Sequence, residues 1–229
     1  MQKQTLNHPQ PYQFQYHKAK LNILLKENPQ FALLKNYIEK ISTKDFPHHI
    51  FIYNKNTNEK NDLNASRQRA SQIKFPHLKI SHLQKQNQAN ELAKLALNLA
   101  KTNKERHKSI QDFMLINDST TIAAEIPVYL TNWDAGYYRN EKGFIFPLSN
   151  YKTLITGHID ILQIRNGLIH ILDYKPDAKT QNPIEQLTIY ALALSRKLNL
   201  PLYHFKAAWF DENNYFEFFP LHVVYEKRL

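Results

Sequence analysis

Asp160, Asp173 and Lys175 are the residues of this chain whose types and spacing point most directly to chemistry. They lie within residues 152–175, where TLITGHIDILQIRNGLIHILDYK reads as two apolar strands separated by Asn166-Gly167. Asn-Gly between such runs is a strong hairpin signal, because a type I′ turn needs positive φ at both central positions. A two-residue turn there sets Arg165 opposite Leu168. Five pairs further on it sets Asp160 opposite Asp173, on the same side of the sheet. Pair types alternate outward from the turn, which makes Asp160/Asp173 a non-hydrogen-bonded pair with Cα atoms about 4.5 Å apart. Lys175, two residues beyond Asp173, projects from the same face.

Two carboxylates facing each other in apolar strands repel, so at least one must be protonated or neutralised. A divalent cation does this economically. Hard oxygen ligands on a rigid sheet suit Mg²⁺ or Mn²⁺, with coordination positions left for water and a phosphate oxygen. The neighbouring lysine is placed to orient an attacking water or to stabilise charge that builds on phosphorus.

The elements that must position this site follow from periodicity. Residues 121–130, 152–164, 168–174, 203–210 and 215–219 are strand-like, and 183–198 is helical. Helices are expected over 83–100 and 103–115. Residues 18–42 carry apolar positions at helical spacing, with Asn28 and Pro29 as a cap and first helical position. A short strand is expected at 46–53 and a polar loop at 54–64. Residues 132–149 read as a substrate loop whose Tyr137, Tyr138 and Arg139 contact unpaired bases. The resulting division is a basic, mainly helical region over 1–82, a candidate DNA-binding lobe, followed by a catalytic core over 83–229.

Composition narrows the function classes. The 229 residues hold 30 Lys+Arg against 20 Asp+Glu, a formal charge of +10, and no cysteine. Disulfide frameworks, thiolate metal sites and cysteine nucleophiles are thereby excluded. The positive charge is concentrated in residues 1–110, which points to a polyanionic partner. There, lysines interleave with aromatics, as in Tyr12, Phe14, Tyr16, His17, Lys18 and Lys20. Such mixtures suit phosphate contacts with base stacking. His48, His49, His77 and His82 lack a zinc-like partner set. No phosphate-loop, serine-elbow or HExxH motif occurs. The absence of an apolar leader and of a membrane-length apolar run reads as a soluble, cytoplasmic protein with no membrane association.

GHID at 157–160 followed by DYK at 173–175 resembles the PD-(D/E)XK nuclease superfamily, and its RecB-like branch in particular. Downstream, QLTIY at 186–190 resembles that branch's QxxxY helix. Asn182, Pro183 and Glu185 form its capping signal, and Gln186 and Tyr190 share one face. The resemblance implies an α/β (α+β) restriction-endonuclease-like core, a mixed central sheet flanked by helices. It implies Asp160 and Asp173 as metal ligands, joined by the backbone carbonyl of Tyr174. His107, on a helix before the first strand, is the matching histidine ligand. Glu125, before a proline on the first strand, matches the family's upstream acidic position. Gln186 and Tyr190 are implied as substrate contacts. No proline precedes Asp160, and the cluster-binding cysteines of some RecB-type enzymes are missing.

The expected function is metal-dependent hydrolysis of DNA phosphodiester bonds. A water oriented by Lys175 would attack phosphorus in line and leave a 5′ phosphate. A RecB-like exonuclease or structure-dependent nuclease is the leading reading, with a protein partner supplying helicase or targeting function. The alternatives are a sequence-specific restriction-type endonuclease and a non-catalytic nucleic-acid-binding subunit of this fold. RNA remains open as a substrate, since nothing recognisably reads a 2′-hydroxyl.

Overall fold

The Asn166-Gly167 turn forms with positive φ at both residues, 53° and 70°, as a type I′ turn requires. It joins β6 (Leu154–Arg165) to β7 (Leu168–Tyr174). Their antiparallel ladder runs from Arg165/Leu168 to Ile161/Leu172, which is the register the turn dictates. This computed structural model describes residues 1–7, 11–41, 67–75, 81–100, 102, 105–146 and 154–226. The strand expected at 46–53, the loop at 54–64, and His48, His49 and His77 lie outside the described residues.

Nine strands form one mixed sheet. The N-terminal edge is a hairpin of β1 (Gln2–Asn7) and β2 (Pro11–Tyr16). It is followed by β5 (Thr121–Leu130), β6, β7, β8 (Phe205–Phe210), β9 (Tyr215–Phe218) and β4 (Leu83–Lys85). A short β3 (Arg67–Arg69) runs parallel to the start of β6. The β7/β8 pair is also parallel, and such a pair needs a crossover. Here the long helix Ile184–Leu198 provides it.

Among the described residues, seven helices cover both faces: α1 (Lys18–Glu27), α2 (Ala32–Lys40), α3 (Gln88–Leu97), α4 (Arg106–Asn117), α5 (Asn132–Lys142), α6 (Ile184–Leu198) and α7 (Pro220–Glu226). The larger core joins α1, α2, α6 and α7 to one face. The smaller joins α3 and α4 to Ile161, Leu172, Tyr174, Ala208, Phe210 and Tyr215 on the other. The α/β class and the mixed, helix-flanked sheet are as the sequence pattern predicts.

Four features of the fold depart from the periodicity reading. Residues 2–7 and 11–16 are strands, and the hairpin joins the central sheet through Gln15/Ala124 and Tyr16/Ala123. Phe14 and Tyr16 are buried in the larger core, so they are not base-stacking surfaces. Lys20 donates from Nζ to the carbonyls of Leu115, Ile116 and Asp118 at 2.6, 3.1 and 2.7 Å. It satisfies the otherwise unpaired carbonyl end of α4 instead of a phosphate. Residues 132–142, read as a loop, form α5, with Thr131 and Asp134 in a capping box and Gly143 left-handed at φ 63°. Finally, the helix expected from 83 starts only at Gln88, behind Asn87 as its cap.

Candidate active site

The residues expected to act converge where β5, β6 and β7 meet α4 and α6. Ile159 and Leu162 both belong to the larger core and Ile161 to the smaller, so the inward–outward alternation of β6 slips once at Asp160. On β5 the neighbouring position is Glu125. Ala124 pairs with Ile161 and Ile126 with Ile159, which leaves Glu125 opposite Asp160. Glu125 itself has φ 58°, a left-handed conformation that costs a non-glycine residue about 1–2 kcal/mol. Both strands thus change phase at one step, and both carry a carboxylate there.

The hairpin ladder ends at Ile161/Leu172. Asp160 and Asp173 therefore meet just past its end, not as a further pair within it. The Tyr174 backbone N–H donates to Asp160 Oδ2 at 3.2 Å. His107 on α4 brings its Nδ1 to 3.5 Å from the same oxygen, and its ring meets the Tyr174 ring edge-on at 5.0 Å. Asp173 is buried, and its Oδ2 lies 2.9 Å from Lys175 Nζ. Burial and the adjacent negative charge of Asp160 raise the Asp173 carboxyl well above the ordinary range, with Lys175 opposing. Burial also acts to raise Asp160, but hydrogen bonds with His107 and Asp173 and the charge of Lys175 outweigh it and hold that carboxyl low. The two carboxyls are thus shifted in opposite directions, Asp173 up and Asp160 down. Glu125 is raised by burial and by the charge of Asp160, while Gln111 donates to its Oε1 at 2.6 Å.

On the α6 side, Gln186 Nε2 donates to the Tyr190 hydroxyl at 2.9 Å. The Tyr190 ring packs on the backbone of β6 at Gly157, where a Cβ would fall 2.1 Å from Tyr190 Cε1. The glycine of GHID and the tyrosine of QxxxY are thus two halves of one contact. Beyond Lys175, Asp211 fastens the chain: its carboxylate accepts the N–H of Ala178 at 2.8 Å, and Trp209 Nε1 donates to the Ala178 carbonyl at 3.0 Å.

The model of the PD-(D/E)XK nuclease superfamily matches residues 36–215, which spans the hairpin, both aspartates, Lys175 and α6. The chain belongs to this superfamily. No curated protein matches it. Asp160 lies on β6 and Asp173 on the adjacent β7, with Lys175 one residue past the end of that strand. The match starts at residue 36, so β1, β2 and α1 lie outside it.

Tyr137 and Tyr138 are not brought to this site. They line a separate cavity of about 380 Å³ with Arg196, Tyr203 and Tyr225. Tyr138 is buried, with its hydroxyl donating to the Leu192 carbonyl at 2.8 Å. Arg139 lies on the same helix, near its C-terminal end. The structure adds two residues that periodicity missed. Arg69 and Ser71 line a cavity of about 330 Å³ with Asp160, Glu125, His158 and Tyr190. Arg69 sits on a three-residue strand, too short for any periodic signal.

Among the described residues, no three or more His, Cys, Asp or Glu side chains close into a metal-binding group. A divalent cation nevertheless fits the donor chemistry. Two carboxyls are held together and shifted in opposite directions, and a cation between them would favour both carboxylates. No described helix is long and apolar enough to cross a membrane.

Proposed function

We propose that this nuclease hydrolyses DNA phosphodiester bonds with the help of Mg²⁺ or Mn²⁺ held by Asp160 and Asp173, as in the RecB-like branch. The observation that carries this reading is the meeting of Asp160 with the buried Asp173, whose carboxylate lies 2.9 Å from Lys175 Nζ. The Tyr174 carbonyl and His107 complete the candidate ligand set. When bound, the cation would supply positive charge to the phosphate oxygens and acidify water.

The chain's own residues do the rest. Lys175 orients the attacking water and donates toward the developing phosphorane charge. Glu125, held by Gln111, fixes the outer edge of the site beside Asp160. Gln186 and Tyr190 buttress the opposite wall and contact the substrate backbone. The basic N-terminal half contributes salt-sensitive affinity that does not depend on sequence.

Linear and circular DNA, single- and double-stranded, incubated with Mg²⁺, Mn²⁺ or EDTA, test this reading. Metal-dependent loss of the DNA supports it. Shortening of linear DNA alone identifies an exonuclease, whereas opening of circles identifies an endonuclease. A folded protein that binds DNA and cleaves none of these substrates would overturn it in favour of a binding subunit.

A further inference from the structure

Glu125 stands on a ridge between two cavities, and Asp160 lines one of them. On one side is the cavity lined by Arg69, Ser71, His158, Asp160 and Tyr190. On the other is one of about 290 Å³, lined by Lys3, Gln13, Gln15, His107 and Lys108. Glu125 lines both. His107, in the second cavity, reaches to 3.5 Å of Asp160, in the first.

The second cavity exists because of the N-terminal hairpin. Lys3 is opposite Gln15 and Thr5 opposite Gln13, so Lys3, Gln13 and Gln15 share one face of the hairpin. Phe14 faces the other way and is fully buried in the larger core. The polar face meets α4, where the Gln15 amide donates to Asp112 and Lys108 pairs with the same carboxylate at 3.3 Å. The side chain of Lys108 is 61% exposed. Lys3 is exposed too.

We propose that this cavity holds the phosphate of the nucleic-acid strand next to the scissile one, with Lys3 and Lys108 as its counter-charges and Gln13 as a hydrogen-bond donor. The proposal rests on the nuclease reading above and adds the path of the substrate. One strand crosses the ridge beside Asp160 and Asp173. It runs from Arg69 on one side to the hairpin on the other. Phosphate is the favoured occupant because the cavity offers two exposed lysines and the Gln13 amide beside the proposed site of phosphodiester cleavage. The hairpin lies outside the residues that the superfamily model matches.

The test compares the wild-type protein with Lys3→Ala/Lys108→Ala and with Lys142→Ala/Lys179→Ala, two exposed lysines outside the basic N-terminal half that line neither cavity. Binding of short single-stranded DNA is measured in EDTA over a range of salt concentrations. Each phosphate contact on a single strand contributes about 0.7 to the slope of log K against log salt. The Lys3/Lys108 variant should therefore lose about 0.7 from that slope and bind at least about threefold more weakly, while the Lys142/Lys179 variant keeps the wild-type slope. Circular, 5′-phosphorylated and 5′-hydroxyl strands separate the two sources of phosphate. A deficit on all three means an internal phosphate, and a deficit on the 5′-phosphorylated strand alone means a terminal one. An unchanged slope in the Lys3/Lys108 variant, or an equal loss in the Lys142/Lys179 variant, overturns the proposal. Cleavage in Mg²⁺ by the wild-type protein is read separately, so a failure of the nuclease reading is distinguished from a failure of this cavity.

Discussion

Gly157 and Tyr190 touch so closely that a Cβ at 157 would lie 2.1 Å from the tyrosine ring. One strand and one helix of the site are thereby locked together. The glycine is needed for space, not for backbone freedom. Tyr190 is buried and hydrogen-bonded to Gln186, so its ring has little room to retreat.

Gly157→Ala should cost about 1–3 kcal/mol of stability through overpacking and displace Tyr190 from the site wall. Thermal unfolding of Gly157→Ala beside Tyr190→Phe checks this. The phenylalanine variant keeps the ring and loses the hydroxyl's hydrogen bonds with Gln186 and the His158 backbone, about 1 kcal/mol each. Equal stability of Gly157→Ala and wild type would show that the ring moves freely.

Asp173→Asn should change the stability of the cation-free protein little, because burial and the charge of Asp160 disfavour the Asp173 carboxylate and offset its pairing with Lys175. Cation-induced stabilisation should vanish with it. At a hundredfold excess over Kd, a cation that binds only the folded state adds about 2.7 kcal/mol. Melting temperatures with Mg²⁺, Mn²⁺ or EDTA read both effects. A wild-type melting temperature indifferent to either cation would contradict the ligand assignment.

His170 provides a pH marker away from the site. It is buried, and burial first, then the charge of Lys206, depress its pKa to about 4, with Glu217 opposing. Its neighbour across the ladder is Lys206, which, like Lys85, pairs with Glu217. Because the folded pKa is lowered, the unfolded chain binds the proton more readily between the ordinary value near 6.5 and about 4. Stability is therefore full above about 6.5 and falls as pH drops through that window, by up to about 3 kcal/mol. Denaturant unfolding of wild type and His170→Gln from pH 7 to pH 4 should show a shallower decline in the variant. Parallel declines would assign the acid sensitivity elsewhere.

The β6–β7 hairpin was legible because its turn chemistry fixes the register without help from the rest of the chain. Asn166-Gly167 sets every pair from Arg165/Leu168 to Ile161/Leu172. What the turn does not encode is the slip in alternation at Asp160, which answers the left-handed Glu125 on the neighbouring strand. That is a tertiary event. The α6 helix was legible from its cap and its apolar face, although Pro183, and not Asn182, takes the cap position. The N-terminal hairpin went unread because QKQTLN and PYQFQY are rich in glutamine. The alternation of Phe14 and Tyr16 with Gln13 and Gln15 was the available signal. The capping box from Thr131 to Asp134 and the terminal Gly143 likewise marked α5. The large aromatic content of 132–149 masked them as a binding loop.

The most direct test of the central claim is the cleavage rate of linear DNA in Mg²⁺ for wild type, Asp173→Asn and Lys175→Ala side by side. The account predicts cleavage by the wild-type protein that stops in EDTA, with each variant reduced by about 10²–10³-fold or more while still folded and still bound to DNA. Cleavage that persists at the wild-type rate in either variant would contradict it.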